Sequence, residues 1–196
     1  MLRGMRNAGS RPRVTYRQLK DVPETMVAER IDDVVYATPR PGSLHAQAHL
    51  QLAVLLVRGA EGASGPAARG GGWRVLPEPE LHLGSRPDVL VPDLAAWRRE
   101  RMPELPETTA FTLVPDWVCE VLSPSNAKMD RVQKLRVYAR SGVRHVWLVD
   151  PREQLVEVLR LEGSHYALVG SGGGGDRLRG EPFEEFEFPL GELWER

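Results

Sequence analysis

A carboxylate interrupts one of the most apolar runs in the chain. In WVCEVL, Glu120 is the single polar member, and a run this hydrophobic suits a strand in a sheet covered on both faces. Strand side chains alternate, so Val118, Glu120 and Leu122 share one face while Trp117, Cys119 and Val121 share the other. A buried charge without a partner is driven toward its neutral form, so Glu120 calls for a cation, either a basic side chain or a metal. A structural ion pair with an arginine, or a position at the wet end of the strand, would also satisfy it.

A second carboxylate, Asp88, follows Arg86-Pro87 and opens DVLVP, at the lip of another apolar strand. The interval to Glu120 leaves room for neighbouring strands with a surface excursion between them, so both carboxylates could meet on one sheet edge. Two such oxygen donors, with backbone carbonyls and water, make a hard-cation site of the magnesium type. Taken alone, Asp88 reads as a turn aspartate after proline.

Other groups carry less. His45 and His49 are four apart on one helix face, a spacing that suits a metal pair, but Ala46 removes the general base of an HExxH motif. His45 is better read as lining a cleft or capping its helix. Cys119 faces away from Glu120, toward the core. The glycines at 172–175 are followed by no Lys-Ser or Lys-Thr, so the tract reads as a hinge rather than a phosphate cradle. Arg98, Arg99 and Arg101 form a basic cluster, diluted by Glu100, Glu104 and Glu107.

The elements that must position these groups follow from periodicity and punctuation. YRQLK, after Thr15 as a cap, makes a short helix ending before Pro23. MVAERI, Asp32-Asp33 and VVYAT read as an N-terminal β-hairpin. From Ser43 to about Ala60, Leu44, Ala48, Leu52, Leu55 and Leu56 recur at helical spacing. A flexible glycine-rich loop, EGASGPAARGGG, leads to the short strands WRVL, ELHL and DVLVP, then LAAW. Residues 98–109 form a charged surface excursion before WVCEVL. Between about Asp130 and Ser141, Val132, Leu135, Tyr138 and Ala139 lie on one helical stripe, closed by Gly142. HVWLVD then supplies a buried strand, and the strand, helix, strand order suits a parallel crossover. LVEVLRL and HYALVG continue as strands, GSGGGGD turns, and PLGELWE closes with a short helix.

Composition bounds the whole. With 196 residues and 41% hydrophobic side chains, the chain suits one core. It divides into a flexible arm over 1–14 and a single domain over 15–196. The formal charge of −1 gives no global basic field to hold nucleic acid, so a polyanion must be met locally. A single cysteine excludes an internal disulfide framework and a zinc site of clustered thiolates, and suits a reducing cytoplasm. No secretory signal or membrane-spanning run is read in the sequence.

The segments RPDVLVPD, DWVCEVLSPSN and DRVQKLRVYARSGVRHVWLVDP resemble the Uma-two family, bacterial restriction-endonuclease domains of the PD-(D/E)XK nuclease superfamily. The resemblance spans roughly 15–195, with Pro87–Pro151 as its specific core. It implies an α/β fold: a restriction-endonuclease-like mixed β-sheet flanked by helices, with the N-terminal hairpin. It also implies a metal-dependent endonuclease that hydrolyses DNA through water bound to Mg²⁺ or Mn²⁺, and a homodimer where a duplex is cut. Asp88 and Glu120 would be the metal ligands, with the Val121 carbonyl as third donor. The superfamily's lysine two residues after the glutamate is replaced by Leu122, and Lys134 on the next helix is the candidate replacement, with Lys128 in reserve. Otherwise Lys134 forms an exposed i, i+4 pair with Asp130, worth about 0.3–0.5 kcal/mol. Glu29 is an accessory acid in this scheme and His45 lines its cleft. If nothing replaces the lysine, the same fold would serve as a nucleic-acid-binding or assembly module, and near-neutral charge also admits another phosphate ester as substrate.

Overall fold

The computed structural model describes residues 16–62 and 72–195. The N-terminal arm, the Thr15 cap and most of the glycine-rich loop lie outside them. Helix α1 (Tyr16–Lys20) precedes the hairpin of β1 (Met26–Ile31) and β2 (Val34–Pro39). Its two-residue turn holds Asp32 and Asp33 at φ of 50° and 61°, the left-handed pair that a tight hairpin demands and that aspartate tolerates. Helix α2 (Ser43–Gly62) follows. Then come β3 (Trp73–Pro77), β4 (Leu81–Leu83), β5 (Asp88–Leu90), β6 (Leu94–Arg98) and β7 (Trp117–Val121).

A π-helical turn, Met129–Lys134, runs into α3 (Leu135–Ser141), which ends at Gly142 with φ 83°. There the Val143 N–H donates to the Tyr138 carbonyl, satisfying an orphaned helix end. Strands β8 (His145–Asp150), β9 (Leu155–Glu162), β10 (His165–Gly173), β11 (Arg177–Leu178) and β12 (Phe188–Pro189) lead to α4 (Gly191–Trp194).

Six strands form a mixed sheet in the order β10-β9-β8-β7-β6-β3, parallel only at β7–β8, where the helix makes the crossover. The hairpin joins β5 and β4 in a second sheet, ordered β2-β1-β5-β4.

All five residues of β7 are buried, and its alternation divides the interior in two. Trp117, Cys119 and Val121 pack with Leu52 and Leu56 of α2 and with Phe183 and Phe188. Val118 and Leu122 pack with Val137, Tyr138, Leu81 and Leu90, between the large sheet, α3 and the small sheet. The assignment of Cys119 to the core and of Glu120 to the opposite face is therefore what the fold displays.

Two expectations are corrected. Val132 is 42% exposed, and the inward positions of its helix are Asp130, Lys134, Val137 and Tyr138. Apolar periodicity misplaces the stripe because this helix points two charges inward. The glycine tract is no hinge through its first half, since 170–173 pair with β9. A Cβ on Gly173 would come within 2.9 Å of the Gln154 carbonyl oxygen, so glycine is needed there for close strand approach.

Phe183 stands edge-on to three indoles, with centroids 4.8 Å from Trp73, 5.1 Å from Trp117 and 5.7 Å from Trp147. Phe183→Ala should lower unfolding free energy by about 3–5 kcal/mol. Urea denaturation followed by tryptophan fluorescence measures this, and a loss below about 1 kcal/mol would show that the cavity collapses without strain.

Candidate active site

Glu120 is 1% exposed in the middle of a buried strand, and both its oxygens are engaged. The Lys134 ammonium donates to Oε2 at 3.1 Å and the Tyr138 hydroxyl to Oε1 at 2.5 Å. Both donors come from the helix that crosses between β7 and β8, one turn apart and on its inner face. The same Lys134 Nζ lies 2.9 Å from Glu29 Oε1 and 3.3 Å from Asp130 Oδ1. Glu29 faces inward from β1, where its Oε1 also accepts the Val91 N–H at 2.9 Å.

Asp93 completes the group from the other side. Strands β6 and β7 pair Leu94 with Cys119, and one further step of that antiparallel register sets Asp93 opposite Glu120. Its Oδ2 accepts the Val121 N–H at 2.6 Å, and its Oδ1 lies 2.9 Å from His45 Nε2, carried on the first turn of α2. Glu29, His45, Asp93, Glu120 and Lys134 line one small cavity of about 40 Å³. One water needs about 10–15 Å³ on this measure, so the space takes an ion with water and excludes a nucleotide.

The electrostatics of the cavity are one-sided. Glu29, Asp93, Glu120 and Asp130 surround one lysine. Burial pushes the Glu120 carboxyl well above the usual range; Lys134 opposes this, and Asp130, Asp93 and Glu29 add to it. Asp130 is pushed up to about 6, again chiefly by burial. Burial works against the charge of Lys134, but Glu120, Glu29 and Asp130 more than reverse it and hold its pKa well above the ordinary value. Within this cluster, both oxygens of Asp130 lack a hydrogen bond despite the nearby ammonium, and so does His45 Nδ1.

Asp88 lies elsewhere. It belongs to β5 in the small sheet, where its Oδ1 accepts the Asp32 N–H at 2.8 Å and its Oδ2 accepts from Arg140 at 2.6 Å. These groups line a separate cleft of about 530 Å³. The expected meeting of Asp88 with Glu120 is thus not formed, because the strand hydrogen-bonded to β7 is β6 and the residue that enters it is Asp93. The signal was available: VLVPDLAAW carries a second Pro-Asp immediately before an apolar strand.

Lys134, Glu29 and His45 are brought to Glu120. Lys128 is exposed, and Leu122, at 4% exposure, is part of the core. His49 places its ring 6.3 Å from that of His45 and does not line the cavity. Arg98 lies over Trp73 and Arg101 is paired with Asp116, so neither stands as a ready phosphate contact.

Among the described residues, no group of three or more His, Cys, Asp or Glu side chains is already disposed to hold a metal ion. The donor set nevertheless fits a hard divalent cation by type and by charge. Its oxygens are carboxylates, they outnumber the cations beside them, and Asp130 remains unsatisfied.

Comparison with known proteins agrees with the architecture. A family model described as Uma2, "Putative restriction endonuclease", matches residues 14–191. Among solved structures, the chain is similar to one described as "a putative nuclease belonging to DUF820 from Anabaena variabilis ATCC 29413". The TM-score is 0.70 at 23% identity, over 92% of this chain and 97% of that one, a likeness of fold. No protein of curated function matches.

The raised Asp130 pKa has a sign. The folded chain binds this proton more tightly than the unfolded chain, so the group costs nothing below pH 3.8 and destabilises increasingly as pH rises toward 6. Asp130→Asn should therefore gain stability relative to wild type between pH 4 and 6, by on the order of 1 kcal/mol per pH unit. Chemical denaturation in metal-free buffer measures it. A flat difference would mean that Asp130 ionises as an ordinary carboxyl.

Proposed function

The chain belongs to the Uma2 family, described as "Putative restriction endonuclease", and on that premise we propose that it is a divalent-metal-dependent endonuclease hydrolysing DNA phosphodiester bonds. The observation that carries the reading is the Lys134 ammonium 3.1 Å from Glu120, supplied by the helix while Leu122 fills the core. In this scheme Asp93, rather than Asp88, and Glu120, with the Val121 main-chain carbonyl, would hold Mg²⁺ or Mn²⁺. The bound ion would supply Lewis acidity toward water and phosphate oxygen.

The protein groups divide the remaining work. Lys134 orients the attacking water and offsets negative charge gathering on the phosphate. Glu29 and Asp130 hold that ammonium in place. Tyr138 and His45 orient Glu120 and Asp93, since each donates to one carboxylate oxygen. With a net charge of −1, the protein holds DNA through the site and a few local cations rather than a broad field. A second copy would supply the second centre needed to cut both strands. The single thiol, Cys119, is buried and unpaired with any other cysteine, which suits a cytoplasmic setting. No helix among the described residues is long and apolar enough to cross a membrane.

One observation favours a second reading, a nuclease fold kept as a nucleic-acid-binding or assembly module: the position two after Glu120 carries leucine. The two separate in a cleavage assay with plasmid and single-stranded DNA in Mg²⁺ or Mn²⁺. Asp93→Ala, Glu120→Ala and Lys134→Ala should each lose at least about 100-fold in rate, whereas Asp88→Ala stays within about tenfold of wild type. Equal residual activity in every variant would overturn the endonuclease. Absence of both heat and melting shift on Mn²⁺ titration would favour the module.

A further inference from the structure

A phosphodiester approaching this cavity meets a concentration of negative charge, and the lysine inside is already engaged by carboxylates. Lys134 is 3% exposed and surrounded by three carboxylates. A cation flanks the cavity at Arg40. It stands between Pro39 and Pro41, both of which line the cavity, so its backbone is held by two rings of restricted φ. Its side chain is 59% exposed.

Arg40 is engaged only loosely. Its Nη1 lies 3.9 Å from Glu78 Oε2, and its Nη2 donates to the Glu24 carbonyl at 3.5 Å. Both distances lie beyond the range of a strong charge-assisted bond, and an exposed pair of this kind contributes little to stability. Glu78 is placed with more constraint. It has φ 46°, an uncommon conformation for a residue other than glycine, and its N–H donates at 2.9 Å to the carbonyl of Asp93. Glu78 also lines the cavity. The left-handed backbone of Glu78, tied to the Asp93 carbonyl, thus carries an acidic side chain beside the Arg40 guanidinium.

We infer that Arg40 is the site's phosphate-binding residue, and that Glu78 is its resident competitor, occupying the guanidinium until a DNA phosphate replaces it. This rests on the nuclease reading above. The exchange is matched in charge, since one anionic oxygen replaces another on the same fork. It contacts backbone and carries no sequence information. The two ends of the pair therefore act in opposite directions: losing Arg40 weakens DNA binding, and neutralising Glu78 strengthens it.

The test is fluorescence anisotropy with a labelled 20-base-pair duplex and the full chain, in Ca²⁺, across a salt series. Arg40→Ala should raise Kd about tenfold for unrelated sequences alike and reduce the slope of log Kd against log salt by about one. Glu78→Gln should lower Kd by about threefold at low salt. Wild-type binding with Kd and salt slope unchanged in Arg40→Ala would overturn the inference and leave the nuclease reading intact. A rise in Kd for Glu78→Gln would overturn the competitor role, because the pair would then be supporting the site. No DNA binding by wild type at any salt would overturn both readings.

Discussion

The fold is organised around a buried ammonium that must not be left alone. Taking Lys134 out of water costs several kcal/mol even after relaxation, and the structure meets that cost with Glu29, Glu120 and Asp130 at 2.9–3.3 Å. These partners come from the hairpin, the central strand and the lysine's own helix. Removing the helix would leave the buried carboxylates of the other two elements without their ammonium. The network binds the small sheet to the large one through a side chain rather than through shared strand pairing, which explains why the N-terminal hairpin is part of the same structure. Replacing such a cluster with well-packed apolar residues is commonly neutral or stabilising in proteins, so its presence points to chemistry more than to stability.

Strand β7 makes the arrangement geometrically feasible. Alternation sends Trp117, Cys119 and Val121 into an aromatic core shared with α2 and the C-terminal segment, and frees the other face for Glu120. Sheets covered on both sides give a carboxylate little water to retreat to, so its neighbours settle its ionisation. Tyr138 and Lys134 arrive together because they are four apart on one helix. The π-helical turn ends at Lys134, and single π turns inside helices are frequent at functional sites.

Much of this was legible in the sequence. The oddity of Glu120 inside WVCEVL declared both a buried strand and a need for a cation, and the hairpin, α2 and the β7–β8 crossover followed from turn residues and periodicity. What failed did so for identifiable physical reasons. Two Pro-Asp pairs lie five positions apart, and the local pattern cannot say which strand pairs with β7; that is a long-range register decided by sheet topology. The helix stripe was drawn through Val132 because periodicity rewards apolar residues, whereas here burial of Asp130 and Lys134 is driven by mutual pairing. The glycines at 172–175 look like a hinge because composition does not reveal the close approach of two backbones at Gly173.

On the proposed reading, Leu122 and Lys134 are two halves of one exchange. A lysine at 122 would lie on the Glu120 face of β7, in the layer now packed by Val118, Val137 and Tyr138. It would compete for carboxylates already matched by Lys134 and would place a second ammonium in a cavity of about 40 Å³. With the cation carried on the helix, the strand position is core while Glu120 keeps an ammonium 3.1 Å from its Oε2. Four acids around one ammonium leave the cluster short of positive charge, and that imbalance is what the proposed metal site rests on.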